Sequence, residues 1–184
     1  GAVLHTFTAG RLLVATPPLV DPNFDRTVVY MIEHNDQGAL GVVLNRPVDD
    51  LFSLPGLERW YEMVNEPHQV FSGGPVEPDA LIGLAHSTYD GRTDGWAAWR
   101  NGVGTVDLSR DPADLVPPVD DLRLFRGYSG WSPWQLDGEI GEAIAAGLLL
   151  KPQRYVTPSD LESEDLTRVY AVLLEHCDVY MGFK

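Results

Sequence analysis

The sequence has little of three things, which are cysteine, long apolar runs and basic residues. Its single cysteine, Cys177, cannot form an internal disulfide and fits a reducing compartment. No stretch reaches the roughly 18 to 20 consecutive apolar residues needed to span a bilayer. No basic segment followed by an apolar one opens the chain as an export signal would. We therefore expect a cytoplasmic protein without a membrane segment.

Basic residues are about half as common as acidic ones. The 184-residue chain contains 13 Lys+Arg and 27 Asp+Glu, which gives a formal net charge of −14. A field of this sign repels phosphate backbones and anionic lipid surfaces. The arginines are also scattered along the chain and form no basic stripe. Direct binding to nucleic acid or membrane is thus disfavoured, and we expect an unidentified small ligand or protein partner.

The histidines and the cysteine form no metal-binding pattern. The five histidines are far apart, no His-Glu-x-x-His motif occurs, and one cysteine cannot build a structural zinc site. His176 and Cys177 are neighbours on a predicted helix and therefore point to different faces, which excludes a thiolate dyad. We expect no metal and no cofactor.

Strand and turn signals predict one domain over residues 1–184. Residues 1–9 are an N-terminal extension, in which Gly1-Ala2 is consistent with a remnant of an expression tag. A run of β-branched and aromatic residues at 27–32 and a second apolar run at 40–44 predict a hairpin, because Gly38 can adopt a positive φ in the turn. Further strands are predicted at residues 11–15, 69–72, 80–86, 104–108 and 122–126.

Helices are predicted where apolar residues recur at helical spacing. Residues 55–64, 132–146 and 164–177 show this pattern, and Ser132 with Gln135 matches a capping box. Residues 87–101 are predicted to be a surface loop. Most strands precede the helices, which favours an α+β or mixed fold over a doubly wound parallel sheet.

The sequence Gly-Tyr-Ser-Gly-Trp at 127–131 invites comparison with a nucleophile elbow. Ser129 lies between a predicted strand and a predicted helix. Downstream of it, Asp160, Asp165 and His176 follow in the order Ser, Asp, His that α/β-hydrolases use. The elbow requires glycine at position 131, where this chain has Trp131, so the motif fails.

The same five residues allow two further interpretations. A glycine loop that opens a capped helix directs free N–H groups outward and suits a phosphate. Alternatively, Gly127 and Gly130 only allow Tyr128 and Trp131 to pack into the core. Both interpretations stay open at this point.

Three blocks carry a family resemblance: GRLLVATPPLVDPNFDRTVVYMIEHNDQGALGVVLNRP at 10–47, SGGPV at 72–76 and LFRGYSGWSPWQL at 124–136. Together they resemble the YqgE/AlgH family of bacterial proteins. The resemblance implies a single α+β domain whose bifurcated β-sheet, mixed or antiparallel, curls into a pseudo-barrel with flanking helices. It implies no reaction, since members are described as uncharacterised or as candidate transcriptional regulators. Members commonly have alanine at the position of Ser129, which argues against a nucleophile there.

A binding groove is predicted where the strands end. The second hairpin strand ends at Asn45-Arg46-Pro47, and an unpaired buried guanidinium would cost several kcal/mol. We therefore expect these polar ends to converge with the glycine segments into one groove, made of Asn23, Arg26, His34, Asn45, Arg46, Gly73, Gly74, His86, Gly127, Tyr128, Gly130 and Trp131. The alternative is an ion pair from Arg46 to Asp21 or Asp25 that pins a loop over the barrel end.

Three functions remain open from the sequence. We favour a non-enzymatic cytosolic protein that binds a small ligand or a protein partner and has a regulatory role. The alternatives are a transcriptional regulator that acts directly on DNA and a hydrolase that uses Ser129.

Overall fold

A computed structural model describes seven segments of the chain, residues 9–10, 12–14, 27–65, 67–89, 91–100, 102–115 and 118–139. The predicted groove residues Asn23 and Arg26 lie outside these segments. So do the predicted final helix at 164–177 and most of the predicted helix at 132–146.

The described residues form one mostly antiparallel sheet of ten strands with few helices. The path β1-β2-β3-β10-β6-β9-β8-β7 holds eight strands, and β4 and β5 branch from it. The strands are β1 (Leu12–Val14), β2 (Val28–Asn35), β3 (Gly38–Val43), β4 (Pro47–Asp50), β5 (Gln69–Ser72), β6 (Val76–His86), β7 (Arg92–Thr93), β8 (Trp96–Arg100), β9 (Val103–Val106) and β10 (Asp120–Trp131).

Strand β10 is the point at which the sheet forks. Along one edge, β10 pairs with β6 in antiparallel register over most of its length. Its other edge is divided, because residues 124–126 pair in parallel with β5 and residues 129–131 pair antiparallel with β3. Twelve residues of one strand therefore hold together both branches of the sheet.

The predicted hairpin is present as β2 and β3, and its turn depends on Gly38. Gly38 has φ of 132°, and a Cβ there would lie 2.5 Å from the Trp131 carbonyl oxygen. Only glycine fits this combination of backbone conformation and close approach. The turn thus places the hairpin against the end of β10.

The core lies on both faces of the sheet in three apolar clusters. One contains Tyr30, Val42 and Phe125, and a second is centred on Trp60 and Trp96. The third, with Met31 and Leu136, holds the helical segment at 135–139 against the hairpin. Burial of these side chains at roughly 25 cal/mol per Å² is the main force that holds the sheet together.

Two sequence predictions about local structure are wrong. In place of an α-helix at 55–64 there is a 3-10 helix, Glu58–Met63, which the buried Trp60 anchors by donating its indole N–H to the carbonyls of Leu108 and Arg110. The predicted loop at 87–101 instead contains β7 and β8. Trp96 in β8 is buried and donates to the Tyr89 carbonyl, which a surface loop would not explain.

The predicted pseudo-barrel with flanking helices is not confirmed. The strand path has two ends, β1 and β7, and no ladder joins them within the described segments. As far as these segments show, the sheet is therefore not closed into a barrel. Besides the 3-10 helix at 58–63, the helical elements described are the short 3-10 helices Leu51–Ser53 and Pro112–Asp114 and the segment 135–139.

Candidate functional site

The structure brings three of the four predicted glycines together where β5, β3 and β10 meet, a place that we call the glycine crossing (Gly73, Gly74, Gly127 and Ser129). A Cβ on Gly73 would lie 2.3 Å from the Gly127 carbonyl oxygen, and one on Gly74 would lie 2.3 Å from that of Tyr128. Contacts this short leave no room for a side chain or a ligand group. The glycines therefore permit close packing of backbone against backbone at this place.

Ser129 is fully buried at the glycine crossing. Its side chain is 0% exposed, and the hydroxyl donates to the Gly73 carbonyl oxygen over 3.1 Å. The same oxygen also accepts from the Val43 N–H at 2.9 Å. The predicted loop at 127–131 is in fact the end of strand β10, so these N–H groups do not open a helix as a phosphate site requires.

Asn45 and Arg46 tie neighbouring segments together. The Asn45 side-chain oxygen accepts from the Val28 N–H at 2.9 Å, and the Arg46 carbonyl accepts from the Ser72 N–H at 2.7 Å. These bonds fix the end of β3 to the start of β2 and to β5. These contacts explain in part why polar residues follow the end of β3.

The structure does not bring His34 and His86 into one groove. His34 pairs with Ala39, which pairs with Trp131 at the end of β10, whereas His86 pairs with Asp120 at its beginning. A strand of that length spans roughly 35 Å. His34 is buried, with its Nε2 3.2 Å from Asp137 Oδ2, so it fastens the helical segment 135–139 to the hairpin.

Trp131 and Gly130 lie near the surface at the hairpin end. The Trp131 indole N–H donates to Glu139 at 3.1 Å, and its side chain borders a small cavity of about 220 Å³ beside the β2–β3 turn. Of the residues predicted to bind, Trp131 is the one that borders this cavity.

A larger groove lies where the sequence indicated none. We call it the β4 groove; it is lined by residues 47–50, Phe52 and residues 67–69 and has a volume of about 420 Å³. This volume is within the range of small-molecule and side-chain pockets. The groove is formed by the edge strand β4, the 3-10 helix that follows it and the residues that lead into β5.

Apolar side chains in the β4 groove are unusually exposed. Phe52 is 72% exposed and Val48 is 52% exposed, and they are two of the four exposed large apolar side chains in the described segments. The ring of Phe52 stands edge-to-face against Tyr61, with 5.2 Å between centroids. A neighbouring aromatic therefore supports Phe52 in an exposed position where it gains little from burial.

Two aspartates, Asp49 and Asp50, line the β4 groove together with these apolar side chains. Asp49 accepts from Arg126 Nε at 2.5 Å, in an ion pair whose side chains are 39% and 30% exposed. The Asp50 carboxylate accepts from the Phe52 N–H at 3.0 Å and so caps the short helix that carries the ring. Burial, followed by the charges of Glu58 and Asp50, raises the pKa of Tyr61 above its ordinary value of 10.0.

The main chain of β4 is poorly suited to accept another strand. Within the described segments β4 pairs only with β5, and a register shift falls between Pro47 and Asp49. A short strand that begins with proline, carries two aspartates and contains an irregularity has the features that discourage edge pairing. Binding in the β4 groove would therefore depend on side chains more than on strand addition.

Sequence reasoning missed the β4 groove because its signal is local and weak. The run Pro-Val-Asp-Asp-Leu-Phe-Ser at 47–53 alternates apolar and acidic residues without a clear period. The burial of Leu51, at 1% exposed, next to the exposed Phe52 could only be known from packing. The pairing of acidic with large apolar residues after a strand was the one available hint.

The described segments contain neither a metal-binding cluster nor a membrane-spanning helix. No group of three or more His, Cys, Asp or Glu side chains there is placed to hold a metal ion. No helix within those segments is long and apolar enough to cross a membrane.

Comparison with known proteins places the chain among bacterial relatives. The model of a family described as AlgH-like matches residues 12–144. A UPF0301 protein of Streptomyces avermitilis is 46% identical over 155 residues, which cover 82% of this chain and 79% of the relative. A second UPF0301 protein, from Streptomyces coelicolor, is 46% identical over 138 residues, with 72% and 70% covered.

Two solved structures have a similar fold. A crystal structure of a Corynebacterium diphtheriae protein is 30% identical with a TM-score of 0.66, and the match covers 73% of this chain and 71% of that one. The solution structure of the AlgH protein from Pseudomonas aeruginosa is 28% identical with a TM-score of 0.55, and 77% of each chain is covered. The names of these proteins state no reaction or ligand.

Proposed function

Since the chain belongs to the AlgH-like family, we propose that it is a non-enzymatic cytoplasmic protein that acts in regulation by docking a protein partner in the β4 groove. One observation carries the proposal, which is the exposure of Phe52 at 72% beside Val48 at 52%. An apolar pair of this kind, bordered by polar groups, is typical of an interaction site.

A protein partner fits the β4 groove better than a metabolite. Small-molecule sites enclose most of the ligand surface, whereas Phe52 and Val48 stand largely in solvent. The glycine crossing contains some of the residues of the predicted groove, and backbone atoms lie within 2.3 Å of where a Cβ on Gly73 or Gly74 would be. Both features favour the protein-binding form of the hypothesis.

The alternative functions have less support. Ser129 is buried and donates its hydroxyl to a carbonyl, whereas a catalytic serine must reach a substrate and a base. The net charge of −14 opposes direct action on DNA. Neither alternative has a specific observation in its favour.

A displayed library of random short peptides tests the docking proposal. Peptides selected on the wild-type protein should lose about tenfold or more in affinity for Phe52→Ser, because large apolar anchors dominate interface energies. Tyr89→Ser is the matched control, since Tyr89 is another exposed aromatic residue, outside the β4 groove. If no peptide is selected, or if those selected bind both variants like the wild type, docking at this groove is ruled out.

A further inference from the structure

The charges around the β4 groove indicate the chemistry of its partner. We infer that the docked segment is basic, with a lysine or arginine side chain that meets Asp49 and Asp50 while an apolar side chain packs on Phe52. The inference rests on the proposed function and specifies its partner class.

The first argument is the composition of the groove itself. Its lining contains two carboxylates, Asp49 and Asp50, and the guanidinium of Arg126 pairs with Asp49. Asp49 is 39% exposed, so its carboxylate remains accessible to a second cation from solution. A carboxylate can accept several hydrogen bonds, and shared arrangements of two cations with one carboxylate are compatible with its four lone pairs.

The second argument is the arrangement of charge and apolar surface. Asp50 caps the helix that begins at Leu51, so its carboxylate is held by the Phe52 N–H next to the exposed ring. A cationic side chain at Asp50 would therefore bring its neighbouring residue close to Phe52. Lysine and arginine stems are themselves apolar and can cover such a ring while the charged end reaches the carboxylate.

The third argument is the field of the whole molecule. A net charge of −14 raises the local concentration of cationic segments and lowers that of anionic ones. Steering of this kind acts mainly on the association rate and on the choice of partner. A basic segment is thus favoured before contact as well as within the groove.

Three end-blocked peptides test the inference by fluorescence polarisation. Each has a central Leu-Phe pair, flanked by lysines in the first, by glutamines in the second and by glutamates in the third. The lysine peptide should bind about tenfold tighter than the glutamine peptide, and the glutamate peptide should bind weakest. The preference for lysine should shrink as salt rises, because exposed charges are screened over about 10 Å at 0.1 M salt.

Charge variants test whether Asp49 and Asp50 cause the preference for the lysine peptide. Asp50→Asn retains the helix cap, since asparagine also accepts from the N2 amide, and should weaken the lysine peptide about two- to fivefold. Asp49→Asn should act in the same direction. The glutamine peptide should bind both variants like the wild type. Asp36→Asn, which removes the same charge at the exposed β2–β3 turn, is the control and should change neither peptide.

Each result separates the inference from the proposed function. If Phe52→Ser weakens all three peptides while the aspartate variants change nothing, docking stands and the basic partner is overturned. If the lysine peptide binds Asp36→Asn and Asp50→Asn equally weakly, and Phe52→Ser like the wild type, attraction is diffuse and both proposals fail. Selective loss in Asp49→Asn and Asp50→Asn supports the inference.

Discussion

The glycine crossing and the β4 groove differ in the function that their sequences suggest and in the exposure of their side chains. The first has the small and polar residues expected of a ligand site, yet backbone atoms fill it and Ser129 is 0% exposed. The second has an unremarkable sequence, yet it keeps Phe52 72% exposed beside two carboxylates. Glycine-rich segments can thus mark close backbone packing, whereas exposure of a large apolar side chain has to be read from the fold.

The largest expected effect is at the glycine crossing. Gly73→Ala should lower the free energy of unfolding by about 3 kcal/mol, because its Cβ would lie 2.3 Å from the Gly127 carbonyl oxygen. Urea denaturation measures the change. Gly138→Ala is the control, since a Cβ there meets nothing within 4 Å, and it should be neutral or stabilising. Equal stability of Gly73→Ala and the wild type would show that the crossing is loosely packed.

A smaller effect is expected at Ser129. Ser129→Ala should cost about 1 kcal/mol, the usual net value of one hydrogen bond. The Gly73 carbonyl retains its bond from the Val43 N–H, which prevents a larger loss. The same variant, assayed with a chromogenic ester beside the wild type, addresses the hydrolase alternative. A loss of measurable turnover in the variant alone would revive that alternative.

A substitution in the β4 groove should change the stability less than a substitution at the glycine crossing. Phe52→Ala should change the free energy of unfolding by less than about 1 kcal/mol, because the ring is mostly in solvent and contacts Tyr61 edge-to-face. Thermal unfolding followed by circular dichroism measures this. A cost comparable to that of Gly73→Ala would mean that Phe52 is part of the core and that the contrast between the two regions is false.

The smallest expected effect is a change in the pKa of Tyr61 when the charge of Asp50 is removed. Burial raises the pKa of Tyr61, and the negative charges of Glu58 and Asp50 raise it further. Asp50→Asn should therefore lower the pKa of Tyr61 toward its ordinary value, measured by ultraviolet titration against Tyr61→Phe to assign the signal. An unchanged pKa would show that the charge of Asp50 does not act on Tyr61.

The sign of the accompanying pH effect follows from the direction of this shift. Because the folded state holds the Tyr61 proton more tightly than the unfolded state does, its contribution to stability is fully present below the ordinary value of 10.0. The contribution is lost as pH rises through the higher folded pKa. In Asp50→Asn the loss should be smaller, since the two pKa values lie closer together.

The parts of the fold that were predictable are those with a strong local signal. The hairpin of β2 and β3 follows from continuous β-branched residues and from Gly38, and strand β5 occupies the predicted residues 69–72. The short 3-10 helix Pro112–Asp114 has a standard N-terminal signal, with Asp111 as the cap and Pro112 at the first helical position. In these places, local propensity and tertiary packing agree.

The parts that were not predictable depend on distant contacts. Apolar spacing at 55–64 indicated an α-helix, but Pro55 and Gly56 precede a 3-10 helix that is held by Trp60. The local sequence around Trp96 is typical of a loop, and only its strand pairing with β9 and its hydrogen bond to the Tyr89 carbonyl place it in a buried strand. The polar strand ends suggested one groove, but the register of β10 separates His34 from His86. No local pattern contains this information.

The forked strand also bears on how the protein is made. Strand β10 is the last strand described along the chain, and both β3 and β5 pair with it. On a translating ribosome, the hairpin and the strands from β6 to β9 would emerge before the segment that joins them. The apolar faces of the hairpin and of strands β6 to β9 would then stay uncovered until residue 131 leaves the exit tunnel. A chaperone that holds the nascent chain would have the greatest benefit during that interval.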